Sequence, residues 1–205
     1  MQSWLFFGIV GYLSGSVLYA KIFGHLFRHD DIVQNSKDGN PGAANAFMQG
    51  GFWCGIFTLC FDLLKGFLPV FFYLHMGKFY PTSEAGLAVV IAAPVFGHIF
   101  PVFYQFKGGK GIATTFGCLL GLIPDIHAAL VLAFFFIFFS VVIRVTPHWS
   151  RTMDTFWVTA ALFLFSKERA AVKAGFLIIT GLVSFKLRLS KEEKEERKVR
   201  VLWMR

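Results

Sequence analysis

Apolar residues in this chain come in long blocks separated by short polar stretches. Seven blocks stand out, at roughly Ser3 to Phe27, Gly51 to Met76, Glu84 to Phe103, Gly111 to Ile123, Ile126 to Val145, Thr152 to Phe165 and Ala170 to Leu189. A block of ~20 residues that is apolar all round is what a helix needs to cross the hydrocarbon of a bilayer. The pattern therefore predicts an all-α integral membrane protein of about seven transmembrane helices with glycine-rich loops on the inside. The fourth and sixth blocks are short for a crossing, so they are expected to tilt little or to bury their ends among neighbouring helices.

Composition reinforces the pattern. Hydrophobic residues make up 56% of the 205 and charged residues 16%, with 27 phenylalanines. A soluble domain, nearer half apolar and a quarter charged, could not cover that much apolar surface. Cys54, Cys60 and Cys118 all fall inside apolar blocks without metal-ligand spacing, which excludes a disulfide framework or zinc site on sequence grounds. No basic segment precedes the first block, so it reads as a retained helix and not as a cleaved signal peptide.

Charge then sets an orientation. The last twenty residues, from Lys186, carry eight basic residues against four glutamates, and a basic tail beside a span reads as cytoplasmic, solvated and in contact with anionic lipid. No aromatic-and-basic module accompanies the tail, so nucleic acid is not an expected partner. The expected organisation is a polytopic membrane domain over residues 1–189 and a basic cytoplasmic tail over 190–205. With the tail inside, the inside loops hold Arg28, Lys37, Lys107, Lys110, Arg144 and Arg151, and the outside loops hold Lys78. Lys167, Arg169 and Lys173 dissent, since they fall in the last outside loop.

Two inside loops have unusual chemistry. In DGNPGAAN (38–45), Gly39 and Gly42 flank Asn40-Pro41, a turn composition whose successive N–H groups can form an anion-binding nest or simply a tight membrane-edge turn. In FKGGKGIAT (106–114), Lys107 and Lys110 frame two glycines, and a helix opening at Gly111 would add positive potential for a phosphate. A positive-inside lysine pair explains the charges but not the glycines. The Walker A spacing is absent, so a nucleotide hydrolase is unsupported. Asp62 and Lys65 are three apart on one face of the second block and read either as a structural ion pair or as part of an ion path. His98, in FGHIFP, reads as a capping or packing residue or as an acid, base or phosphate donor.

These stretches resemble the acyl-phosphate:glycerol-3-phosphate acyltransferases of the PlsY type. The likeness runs through GYLSGS (11–16), DGNPGAAN, DLLKGFLP (62–69) and GHIFPVFYQFKGGKGIAT (97–114), and covers the first 115 or so residues; beyond them only span count and position agree. The resemblance implies an enzyme of a bacterial-type cell membrane. It would move a fatty acyl group from acyl phosphate to the 1-hydroxyl of glycerol 3-phosphate, with no coenzyme A thioester, cofactor or metal. Lys107 and Lys110 are then the expected catalytic residues. Gly39, Asn40, Gly42, Asn45, His98, Gly108, Gly109, Gly111 and Thr114 are the expected substrate-binding residues, and the expected partners are the two substrates and membrane lipids.

The chain also departs from that family. Where the family reads G-S-G-N-x-G-A-T-N-x-x-R, this sequence has Asp38 in place of the serine and Met48 in place of the arginine. The later R-Y-V-S stretch is matched loosely by Arg144, Val145, Thr146 and Pro147, and the R-H-x-x-N-I-x-R element has no counterpart in residues 184–198. An acyltransferase with a different acceptor and a non-catalytic acyl-phosphate-binding paralogue are the alternatives. A transporter is a weaker one, since no inverted repeat is evident. His25 and Asp30 form the H-x-x-x-x-D pattern of another glycerolipid acyltransferase class, but that class's other motifs are absent downstream.

Overall fold

The structure, a computed structural model, describes residues 3–29, 32–36, 38–76, 82–190 and 196–202. Asp30, Lys37, Lys78 and, in the tail, Lys191, Glu192, Glu193, Lys194, Glu195 and Arg205 lie outside the described residues. Helical segments occupy the places of all seven apolar blocks. They are α1 (Ser3–Gly15) with α2 (Tyr19–Leu26), α3 (Ala43–His75), α4 (Glu84–Ile99), α5 (Ile112–Leu120), α6 (His127–Ile137), α7 (His148–Phe165) and α8 (Ala170–Leu189). Among the described residues, four stretches are long and apolar enough to cross a membrane by themselves: Ser3–Leu26, Ala43–His75, Glu84–Tyr104 and Ala170–Leu189. The nine-residue α5 is only ~13 Å long at 1.5 Å per residue and lies packed among its neighbours.

Three features refine the sequence reading. The first block is not one helix: it breaks at Ser16–Leu18, where the backbone turns from α1 into α2. The second helix begins at Ala43, not at Gly51; Gly51 is instead a kink, with φ at 78° in the left-handed region that glycine tolerates. Hydropathy alone puts the boundary at the kink because residues 43–50 are more polar than residues 51–76. Finally, α6 runs on through a π-helical turn (Phe138–Val142) into a short strand, β1 (Ile143–Thr146).

The tail joins that strand. Lys198–Val201 forms β2, antiparallel to β1, with Ile143 opposite Val201 and Thr146 opposite Lys198. The alternation K-V-R-V has the period and β-branched content of a strand. Arg197 adds an ion pair to Asp154 of α7 at 2.8 Å. The described part of the tail is therefore folded onto the α6–α7 corner and not extended free in solvent. Two of the three dissenting cations have partners: Arg169 pairs with Glu84, and Lys173 donates to the carbonyls of Ser166 and Leu164 at the end of α7.

Helix α4 is the centre of the bundle, packed by α1, α3, α5 and α8. Lipid tails are as apolar as leucine, so helices associate in membranes through close backbone approach at small residues. Here α1 meets α4 at Gly15 and Gly97, and α3 meets α5 at Gly66 and Gly117. A β-carbon on Gly117 would lie 2.0 Å from the Leu63 carbonyl oxygen, and one on Gly66 2.3 Å from that of Thr114. Aromatic packing fills the α7–α8 side, with Phe156 stacked on Phe176 at 5.6 Å. Phe6, Ile9, Leu68, Phe72 and Ile178 stay exposed on the outside, as a lipid-facing surface requires.

Gly117→Ala is expected to force α3 and α5 apart and to destabilise the bundle by ~1–3 kcal/mol. Gly181→Ala, on α8 with open space around it, is expected to leave stability unchanged or slightly raised. Melting temperatures of the two variants in the same detergent check this contrast.

Candidate active site

The two glycine-rich loops meet through hydrogen bonds that the sequence supplies locally. Asp38 Oδ1 accepts from the Asn40 N–H at 3.1 Å, an Asx-type turn, and from Asn45 Nδ2 at 2.7 Å. Asn45 Nδ2 also donates to the Asn40 carbonyl at 2.7 Å, which ties the turn to the first residues of α3. Asn40 then reaches across: its Oδ1 accepts the backbone N–H of Lys110 at 3.0 Å.

The second loop is seated on the end of α4. Gly108 and Gly109 donate their N–H groups to the carbonyls of Ile99 and His98 at 3.2 and 3.0 Å. Side chains would not fit there, since a β-carbon on Gly108 would sit 1.9 Å from the His98 carbonyl and one on Gly109 2.2 Å from His98 Nε2. Gly111 follows at φ 78° and starts α5, as the sequence leads one to expect.

Between the loops lies a cavity of about 590 Å³. The N-cap and first-turn residues of two helices line it: Gly42, Ala43 and Ala44 of α3, and Gly111, Ile112 and Ala113 of α5. Among the described residues no side chain caps either terminus, so both present backbone N–H groups and positive dipole ends to the same space. Lys110, 5% exposed, lines it too. Met48, Leu59, Phe116 and Phe136 add apolar surface to the same lining.

One group opposes that charge. Asp38 Oδ2 forms an ion pair with Lys110 Nζ at 2.8 Å inside the cavity. Burial pushes the Asp38 carboxyl up, but the hydrogen bonds from Lys110 and Asn45, the lysine charge and the Asn40 N–H together hold it below the usual carboxylate range. The carboxylate is thus ionised at neutral pH and occupies the lysine.

A second polar cluster is fully buried beside the first. Lys65 Nζ lies 2.7 Å from Asp62 Oδ1, 2.8 Å from His98 Nδ1 and 2.7 Å from the Val17 carbonyl oxygen, the last at the break between α1 and α2. The expected Asp62–Lys65 pair is therefore formed, and Asp62 and His98 both line the cavity.

Of the residues singled out in the sequence, Asn40, Gly42, Asn45, His98, Lys110 and Gly111 line the cavity. Gly39 shapes the turn at φ 63°, and Gly108 and Gly109 form the support just described. Lys107 is exposed and outside the lining, and Thr114 is buried where α5 presses on α3. Sequence reasoning missed Gln49 and His148. His148 begins α7 directly after Pro147, whose closed φ suits a helix start, so the Pro-His junction was the available signal.

Comparison with known proteins identifies the family of the chain. A family model described as glycerol-3-phosphate acyltransferase matches residues 5–193. A glycerol-3-phosphate acyltransferase of Cupriavidus pinatubonensis is 34% identical over 184 residues, 87% of this chain and 86% of that one. One of Paraburkholderia phytofirmans is 40% identical over 135 residues, 66% of this chain, and the match spans 63% of the relative's length. The crystal structure of PlsY, an integral membrane glycerol 3-phosphate acyltransferase, in its glycerol 3-phosphate form superimposes with a TM-score of 0.75 at 27% identity, covering 91% of this chain and 89% of PlsY. With the family model matching nearly the whole chain, this protein belongs to the glycerol-3-phosphate acyltransferase family.

Proposed function

We propose that the protein transfers a fatty acyl group from acyl phosphate to the 1-hydroxyl of glycerol 3-phosphate, giving lysophosphatidic acid and inorganic phosphate. The observation that carries this reading is the convergence of two uncapped helix N-termini and Lys110 on one cavity with an apolar wall. Oriented N–H groups and a fixed cation are what two phosphates need when they must be brought together, and they also stabilise charge developing on the acyl oxygen. PlsY has been crystallised in a glycerol 3-phosphate form and a lysophosphatidic acid form, which supports the same acceptor and product here.

The reaction needs little else. The acceptor oxygen bonds to the acyl carbon, the carbon–oxygen bond to phosphate breaks, and the hydroxyl proton passes to the departing phosphate. Phosphate is already a good leaving group, so a strong general acid is unnecessary, and close placement of hydroxyl and carbonyl supplies much of the rate. The lysine and arginine bias of the loops favours a cavity mouth and a C-terminus on the cytoplasmic side of the cell membrane.

The Asp38–Lys110 pair favours a second reading, in which the acceptor carries a cation or additional hydroxyls that Asp38 binds. Phosphate release from palmitoyl phosphate by the purified protein, with and without glycerol 3-phosphate, decides between them. Release that depends on glycerol 3-phosphate is expected, and Lys110→Ala should lower kcat/KM by ~100-fold or more. Release only with another polyol or amino-alcohol would establish the second reading.

Asp38→Asn is expected to lower the KM for glycerol 3-phosphate about tenfold, because a dianion no longer meets a fixed carboxylate. The same substitution tests the ion pair. Because the folded pKa of Asp38 lies below its unfolded value of about 3.9, the pair stabilises the fold above that value and loses this contribution only as pH falls through the folded pKa. The difference in melting temperature between wild type and Asp38→Asn should therefore be constant from about pH 5 to 8 and shrink only in stronger acid.

A further inference from the structure

The buried lysine settles the protonation of the histidine beside it. An ammonium has three N–H groups and no lone pair, so each neighbour it bonds must accept. As an ammonium, Lys65 Nζ donates to the Val17 carbonyl at 2.7 Å and to His98 Nδ1 at 2.8 Å, while Asp62 Oδ1, 2.7 Å away, serves as its counter-ion without a hydrogen bond of its own. The cluster has one negative and one positive charge, and Lys65, Asp62 and His98 are all 3% exposed or less. A protonated ring would add an uncompensated charge there and would turn a second N–H donor against the ammonium. His98 is thus neutral, with Nδ1 bare and the ring proton on Nε2.

The position of Nε2 gives that proton a use. The ring lines the cavity, and its Nε2 edge lies against Gly109, where a β-carbon would be 2.2 Å from Nε2 and 3.1 Å from Asn40 Oδ1. Asn40 Oδ1 in turn holds the Lys110 amide. Any side chain on residue 109 would cover Nε2, and glycine leaves that edge open.

We propose that Lys65 is a positioning residue: its hydrogen bond to Nδ1 fixes His98 in the Nε2–H tautomer, which offers a neutral donor to an anionic substrate oxygen beside Asn40 and Lys110. In the opposite tautomer Nε2 would carry a lone pair and repel the same oxygen. Asp62 keeps Lys65 charged and so maintains the arrangement. The role toward substrate rests on the acyl-transfer reading above; the tautomer does not.

Ring-nitrogen NMR of the full-length protein labelled with nitrogen-15 histidine, in detergent at pH 7, tests the tautomer directly. His98→Gln identifies the resonances. The expected spectrum has an unprotonated, hydrogen-bonded Nδ1 and a protonated Nε2; a protonated Nδ1 overturns the proposal. Two variants then test the positioning role, both removing the charge pair together so that no buried charge is left alone. Asp62→Leu/Lys65→Met has no donor for Nδ1 and should mix the tautomers and lower kcat about tenfold or more, with KM for glycerol 3-phosphate within about twofold. Asp62→Leu/Lys65→Gln restores a neutral donor and should recover both the tautomer and most of kcat. A methionine variant that keeps the wild-type tautomer and kcat, or a folded glutamine variant that recovers neither, overturns the role. Should neither variant fold, the wild-type ring spectrum still decides the tautomer. Failure of the acyl-transfer reading itself would appear separately, as wild-type protein without glycerol 3-phosphate turnover.

Discussion

A charged ammonium buried inside a membrane protein is the constraint around which this structure is arranged. Lys65 is 3% exposed, and an unpaired charge there would cost several kcal/mol. Its partners come from three separate places: the open carbonyl at the α1–α2 break, Asp62 on its own helix and His98 at the end of α4. The break in the first span is thereby satisfied, since Val17 offers a carbonyl that no helix uses and Lys65 takes it up. Ser14 Oγ, donating to the Lys65 carbonyl at 2.9 Å, ties the same junction from the other side. The end of α4 is held in turn, and the glycine loop that carries Lys110 is seated on it.

The cavity above this junction is a balance of opposing fields. Two helix dipoles and Lys110 attract an anion, while Asp38 supplies one from within the chain. In the family pattern that the sequence resembles, a serine and an arginine occupy the places of Asp38 and Met48, so both differences reduce the net positive charge around the cavity.

What the sequence disclosed divides along physical lines. Spans were legible because bilayer thickness imposes a length and a composition, and the glycine loops because close backbone approach excludes every other residue. The break at Ser16–Leu18 was not, since the turn is held by a lysine 48 residues away in the chain. The β1–β2 pairing was hidden for the same reason: each strand is four residues long, and neither has meaning without the other. His148 reaches the cavity only because that corner folds as it does. Lys107 shows the converse case: its spacing to Lys110 suggested a pair, but the left-handed turn at Gln105 and Phe106 sends the loop on a path that leaves only Lys110 in the cavity lining.

The kink at Gly51 has a mechanical side. From Gly51 to His75, α3 runs ~37 Å at 1.5 Å per residue, longer than the ~30 Å of hydrocarbon it crosses. Hydrophobic mismatch of that size is relieved by tilt. The residues before the kink, Ala43 to Gly50, form a lintel that contributes Ala43, Ala44, Asn45, Met48 and Gln49 to the cavity. The long arm and that wall of the cavity are one helix joined at Gly51, so tilt of the arm in the bilayer bears on the cavity wall.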